Sequence, residues 1–178
     1  MPYRFCLLLL GLFGILPLAN AQKPAETKEE YEAAYERRIR QEVLNRVYIP
    51  KDLADAFNEL NKRIDADSER KFLSLPDTVA AQKLFFSLGR WVQVNWGFHG
   101  GSRFSHYLKG IGLSHPEDMA TFVIVTYHRN LSRSPLDVKA LVEELTRARR
   151  QLLLDRKRAS TTILLDTTIY SPPGGGNR

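Results

Sequence analysis

Four histidines, two tryptophans and a Gly100-Gly101-Ser102-Arg103 turn crowd residues 84–129, where specific chemistry is sought first. His99, His106, His115 and His128, with Asp118, offer nitrogen and oxygen donors of the kind zinc accepts. Their spacing argues the other way. No two of the histidines stand four apart, the interval that sets two rings on one helix face, and the glycine turn separates His99 from His106. Neither a metal nor a cofactor is assigned. Ser102 or Ser105 beside a histidine, with Asp118 as the orienting carboxylate, would make an acyl-transfer group. Here Gly101-Ser102-Arg103 opens a helix instead of following a strand, so it is no nucleophile elbow and no catalytic residue is assigned.

Recognition chemistry fits these residues better. Two glycines and Ser102 ahead of a helix leave free amides pointing outward, and the Arg103 guanidinium can grip a carboxylate or phosphate with two hydrogen bonds. The structural alternative is a tight turn, with Arg103 paired to Asp118 or Glu117. Trp91 falls at helical spacing and reads as core. Trp96 and Phe98 fall where a helix ends and read as an aromatic patch for a protein or glycan. The candidate binding surface is therefore Trp96, Arg103, His115, Asp118, His128 and Arg129.

The elements that must position these groups are helices. Thr27 and Glu30 form a capping box, and Tyr31, Ala34, Tyr35, Ile39 and Val43 then recur as an apolar stripe. Pro50 opens a second helix, with Leu53, Ala56, Phe57, Leu60 and Ile64 on one face. Asp67 or Ser68 caps a short helix that Pro76 ends. From Asp77, the positions Val79, Ala80, Leu84, Leu88, Trp91 and Val92 predict one helix, with Gly89 inside it marking a close helix–helix contact and Gly97 as a left-handed cap. Ser102 caps the segment 103–109, which Gly110 stops. Ser114 with Glu117 makes a second capping box, ahead of a helix that buries Met119, Phe122, Val123, Thr126 and Tyr127. Pro135 opens the last helix, periodic through Val138, Leu141, Val142, Leu145, Ala148 and Leu152 to about Arg158. The segment 161–170 is rich in β-branched residues and reads as a mobile tail or a strand offered to a partner's sheet.

The fold class expected is all-α: one compact bundle of about six helices with flexible N- and C-terminal tails. A positive Arg4, an apolar run over residues 5–18 and a small-x-small site at Ala19-Asn20-Ala21 make residues 1–21 a secretory signal peptide. Residues 22–47 follow as a helical extension, 48–158 as the domain, and 159–178 as the tail. The mature chain is then secreted or periplasmic. Cys6, the only cysteine, leaves with the leader, so no disulfide and no thiol chemistry remain. The formal net charge of +6 loses only Arg4 with the leader. A basic exported protein meets a protein or anionic ligand of the envelope, not nucleic acid. Arg147, Arg149, Arg150, Arg156, Lys157 and Arg158 around Leu152, Leu153 and Leu154 could also lay the last helix on an anionic membrane surface.

In order along the chain come Leu88-Gly89-Arg90-Trp91, Asn95-Trp96-Gly97, Gly100-Gly101-Ser102-Arg103, His115-Pro116-Glu117-Asp118-Met119 and Tyr127-His128-Arg129. Tyr48-Ile49-Pro50-Lys51-Asp52-Leu53 opens the series. Over residues 48–145 this order resembles a bacterial family of small helical domains of unknown function. The chain departs from that pattern at Phe85-Phe86 and Gln93-Val94. The resemblance implies domain limits and no chemistry. The function expected is a non-enzymatic binding module in the envelope or outside the cell. A hydrolase, metal-dependent or not, built on the same histidines and Asp118 is the alternative, and an immunity-type inhibitor of a toxin is a third.

Overall fold

The computed structural model describes residues 27–169, and the side chains of 27–160. The expected leader and the last residues of the tail lie outside that range. Element order is α1 (Lys28–Arg38), β1 (Val43–Leu44), β2 (Val47–Tyr48), α2 (Leu53–Asn61), α3 (Ala66–Leu73), α4 (Asp77–Leu84), a π-turn (Phe85–Gly89), α5 (Arg90–Asn95), α6 (Arg103–Gly110), α7 (Pro116–Leu131) and α8 (Val138–Ile169). Because α4, the π-turn and α5 run on without a break, the described residues form seven helical rods where about six were expected.

The centre of the bundle is α7. Nine of its residues, Met119, Ala120 and the unbroken run 122–128, are buried, so it is covered on every side. It touches α2, α3, α4, α5, α6 and α8. The one-sided stripe expected for it is corrected to an all-round core helix, a condition already visible in the apolar run Phe122-Val123-Ile124-Val125. Gly89 meets it as anticipated: a Cβ at that glycine would stand 3.4 Å from the Ile124 side chain.

Several local expectations change. Asn45 and Arg46, both left-handed (φ 49° and 65°), close an antiparallel hairpin with Val43 opposite Tyr48, a short sheet that the helical periodicity concealed. α1 has its Thr27–Glu30 capping box but buries no side chain completely, so its apolar stripe is not a core face. Asp65 caps α3 in place of Asp67 or Ser68, accepting from both of their amides at 3.0 and 2.9 Å. His115 displaces Ser114 as the cap of α7, its Nδ1 accepting from the Glu117 amide. Gly97 is left-handed as read, whereas Gly112, at φ 109°, carries the turn assigned to Gly110. α8 continues to Ile169, so backbone read as tail or strand is helical.

The π-turn has the widest consequence. One extra residue in a turn swings everything after it by about 100° relative to an α-helix. Without it, Leu84, Leu88 and Trp91 would share the inner face. With it, the buried positions become Gly89, Val92, Gln93 and Trp96. Trp91 is left at the margin of the core and Trp96 is driven into it.

Candidate functional site

The six residues of the expected binding surface do not share a site. Trp96 is fully buried, with its ring edge-on to Trp91 (centroids 5.7 Å apart) and Phe104 (5.3 Å). Phe98 is buried too, so the aromatic patch is core.

Arg103 is drawn away from the glycine turn. Its Nε donates to the Ile49 carbonyl at 2.7 Å, its Nη1 meets Glu42 at 3.1 Å, and its guanidinium lies 5.0 Å over the Tyr48 ring. Pairing with Asp118 or Glu117 does not occur. The Tyr48 hydroxyl donates to Asp55 at 2.8 Å, and the Lys51 amide to the same oxygen at 3.0 Å. Burial pushes the Asp55 carboxyl up, but the Lys51 amide, the Tyr48 hydroxyl and Arg103 outweigh it and hold the group below the usual range.

The glycine turn itself is filled. Arg38 donates from Nε to the Gly101 carbonyl at 2.9 Å, a Cβ on Gly100 would press into the Arg38 guanidinium, and one on Gly101 would overlap the Tyr35 ring. Ser102 and Ser105 exchange reciprocal backbone–side-chain bonds at the start of α6. The turn is therefore a seat for α1, which also places the Tyr35 hydroxyl 3.2 Å from His106 Nδ1. The Ser102 amide is taken by Ser105 Oγ, and Arg103 is turned toward Ile49 and Glu42, away from the turn.

His115 and His128 stand near opposite ends of α7, about 20 Å apart at 1.5 Å per residue. His128 lies edge-on to Phe72, and its Nε2 donates to the Leu75 carbonyl at 2.9 Å, which assigns the proton to Nε2. Asp118 and Glu117 are both taken by Arg149, a residue read from sequence as part of the basic end of the last helix. Arg129 donates to Asp77 at 2.7 Å and to the Leu136 carbonyl at 2.9 Å, tying the end of α7 to the start of α4. Among the described residues no three His, Cys, Asp or Glu side chains gather in a manner that could hold a metal.

An open groove lies elsewhere, between α2–α3 on one side and the α4–α5 rod on the other, with Tyr127 of α7 as its floor. One end, of about 400 Å³, is lined by Leu60, Arg63, Ile64, Ser87, Leu88 and Trp91. The other, of about 310 Å³, is lined by Lys71, Phe72, Leu75, Lys83 and Leu84. Ile64, Ser68, Leu88 and Tyr127 border both, which makes the two hollows one trough. Each lies within the roughly 300–1,000 Å³ of small-molecule sites. The Tyr127 hydroxyl donates to Asn61 at 2.9 Å, and burial, aided by the charge of Glu69, raises it to about 12, so it stays protonated. Sequence reasoning missed this trough because Leu88 and Trp91 fit an uninterrupted α-helical core stripe.

The fold is thus that of a small, mostly helical domain that carries an apolar trough; a separate apolar hollow of about 370 Å³ lies between α4, α7 and α8, lined by Ala81, Phe85, Phe86, Val125, Leu141 and Leu145. Residues 49–131 match the family model described as Domain of unknown function (DUF6794), and every residue that lines the trough falls inside that segment. The chain matches no curated protein and no solved structure.

Proposed function

We propose that the mature chain is an exported, non-enzymatic binding module of the cell envelope, and that its ligand surface is the trough over Tyr127. One observation carries this reading. The charged groups that would make a polar site are consumed in ties between elements, while the trough stays open, apolar and bordered by unpaired cations. The composition of the leader and the basic charge of the chain support the compartment. The hydrolase alternative has less support, since His115 and His128 stand near opposite ends of α7, His106 lies on α6, and each of the three already has a partner.

A neutral apolar dye, N-phenyl-1-naphthylamine, tests the reading. Its fluorescence should rise on binding wild-type protein and stay low with Ser87→Phe, which fills the mouth of the trough from an exposed position. An equal rise with both proteins would remove the trough as the binding surface.

A further inference from the structure

The trough has a direction. At the α3–α4 end, Lys71 and Lys83 approach from opposite walls, and neither ammonium group makes a hydrogen bond or ion pair among the described residues. Of the nearby carboxylates, Asp65 holds Ser68 and the start of α3, Asp67 pairs with Arg70, and Glu59 with Lys62 and Arg63, while Glu69, whose charge reaches the Tyr127 hydroxyl, forms no ion pair with either lysine. Two unpaired ammonium groups over an apolar floor attract a single anionic head. At the other end the one lining cation, Arg63, is paired with Glu59 and lies 5.0 Å over the Trp91 ring, beside hydrocarbon surface from Leu60, Ile64, Leu88 and Trp91. A trough charged at one end and apolar at the other matches a molecule built the same way.

From this we infer that the trough binds a free long-chain carboxylate, its head between Lys71 and Lys83 and its hydrocarbon laid along Leu84, Leu88 and Ile64 toward Trp91. The inference rests on the trough's being the binding surface. A peptide helix would need a standard protein interface of roughly 800 Å² per partner, whereas the two hollows are of small-molecule size. The hydrocarbon supplies affinity by leaving water and the lysines supply selection for the anion.

The test is calorimetric titration of full-length mature protein with monomeric laurate, with dodecanol as the neutral match and phosphatidylglycerol vesicles as the membrane match. Laurate should bind about tenfold or more tightly than dodecanol. Lys71→Gln combined with Lys83→Gln should erase that preference and leave dodecanol binding within about twofold. Ser87→Phe should weaken both ligands. Equal binding of laurate and dodecanol, or a preference that survives the double lysine variant, overturns the carboxylate assignment and leaves the trough in place. Laurate binding unaffected by Ser87→Phe overturns it by locating the ligand elsewhere. A response to the vesicles without one to laurate overturns it in favour of a membrane surface. Failure of laurate, dodecanol and the neutral dye together removes the trough reading itself.

Discussion

Arg149 reaches from α8 across to Asp118 in the first turn of α7, its Nε and Nη2 meeting the two carboxylate oxygens at 3.0 and 2.7 Å. The same Nη2 reaches Glu117 at 2.9 Å. The arginine and Asp118 are each more than four-fifths buried, so the pair is shielded from the screening that weakens surface bridges. Among the described side chains it is also the last firm attachment of α8, because residues 150–160, about 16 Å of helix, are all exposed.

Arg149→Met should therefore cost about 2–3 kcal/mol, since it leaves Asp118 without its partner, and should loosen α8. Arg150→Met, one residue on and exposed, should change stability by less than about 0.5 kcal/mol. Urea unfolding of both variants checks the contrast, and equal midpoints would show that the clamp holds nothing.

Much of the helical frame was legible from caps and periodicity. The Thr27–Glu30 box and Gly97 are local signals, readable because a cap acts within a few residues, and Gly89 was readable because a missing Cβ inside a helix marks a close approach without naming the partner, here Ile124. Three things were not legible. The π-turn leaves no residue signature, yet it exchanges the roles of Trp91 and Trp96. The charged partners of Arg103, Asp118 and Arg129 are 61, 31 and 52 residues away, and a charge in a sequence does not name the charge it will meet. The trough is a space between helices, and its lysines looked like ordinary surface until both walls were in place.

Acid should destabilise the fold in a defined window. For Glu117, the Arg149 hydrogen bonds outweigh burial and lower the carboxyl. For Glu59, the Lys62 hydrogen bond comes first, with burial opposing it. For Asp77, burial pushes upward, but Arg129 and the Thr78 amide more than offset it. A carboxyl lowered on folding adds stability that is complete above its unfolded value and is lost as pH falls through the folded one. Stability should be level above about pH 5 and decline below about pH 4, near the reference carboxyl values. Asp77→Asn should flatten part of that decline. Urea midpoints at several pH values measure it, and a midpoint that rises on acidification would contradict the assignment.

Gly101→Ala should be costly for two separable reasons. The backbone sits at φ +85°, where an L-residue pays about 1–2 kcal/mol, and the added methyl would displace the Tyr35 ring. Displacement releases α1 from His106, so proteolytic cleavage around residues 38–42 should accelerate. Adding Tyr35→Ala removes the overlap but keeps the backbone strain. The double variant should therefore be less destabilised than the two single costs combined. Simple additivity would mean that ring and glycine do not meet.

The two tryptophans give the sharpest contrast, because their expected and observed roles are reversed. Trp96→Ala empties a site packed by Trp91 and Phe104 and should cost about 3–5 kcal/mol, enough to unfold a marginal domain. Any loss of binding in that variant would report loss of fold. Trp91→Ala removes a half-buried ring at the end of the trough, where Arg63 covers it, so the cost should be smaller and the loss of apolar ligand binding larger relative to it. Thermal unfolding and dye titration on the same samples separate the two effects. If Trp91→Ala proves the more destabilising, the shift imposed by the π-turn is wrong, and the inner face of the α4–α5 rod is the one that simple helical spacing predicts.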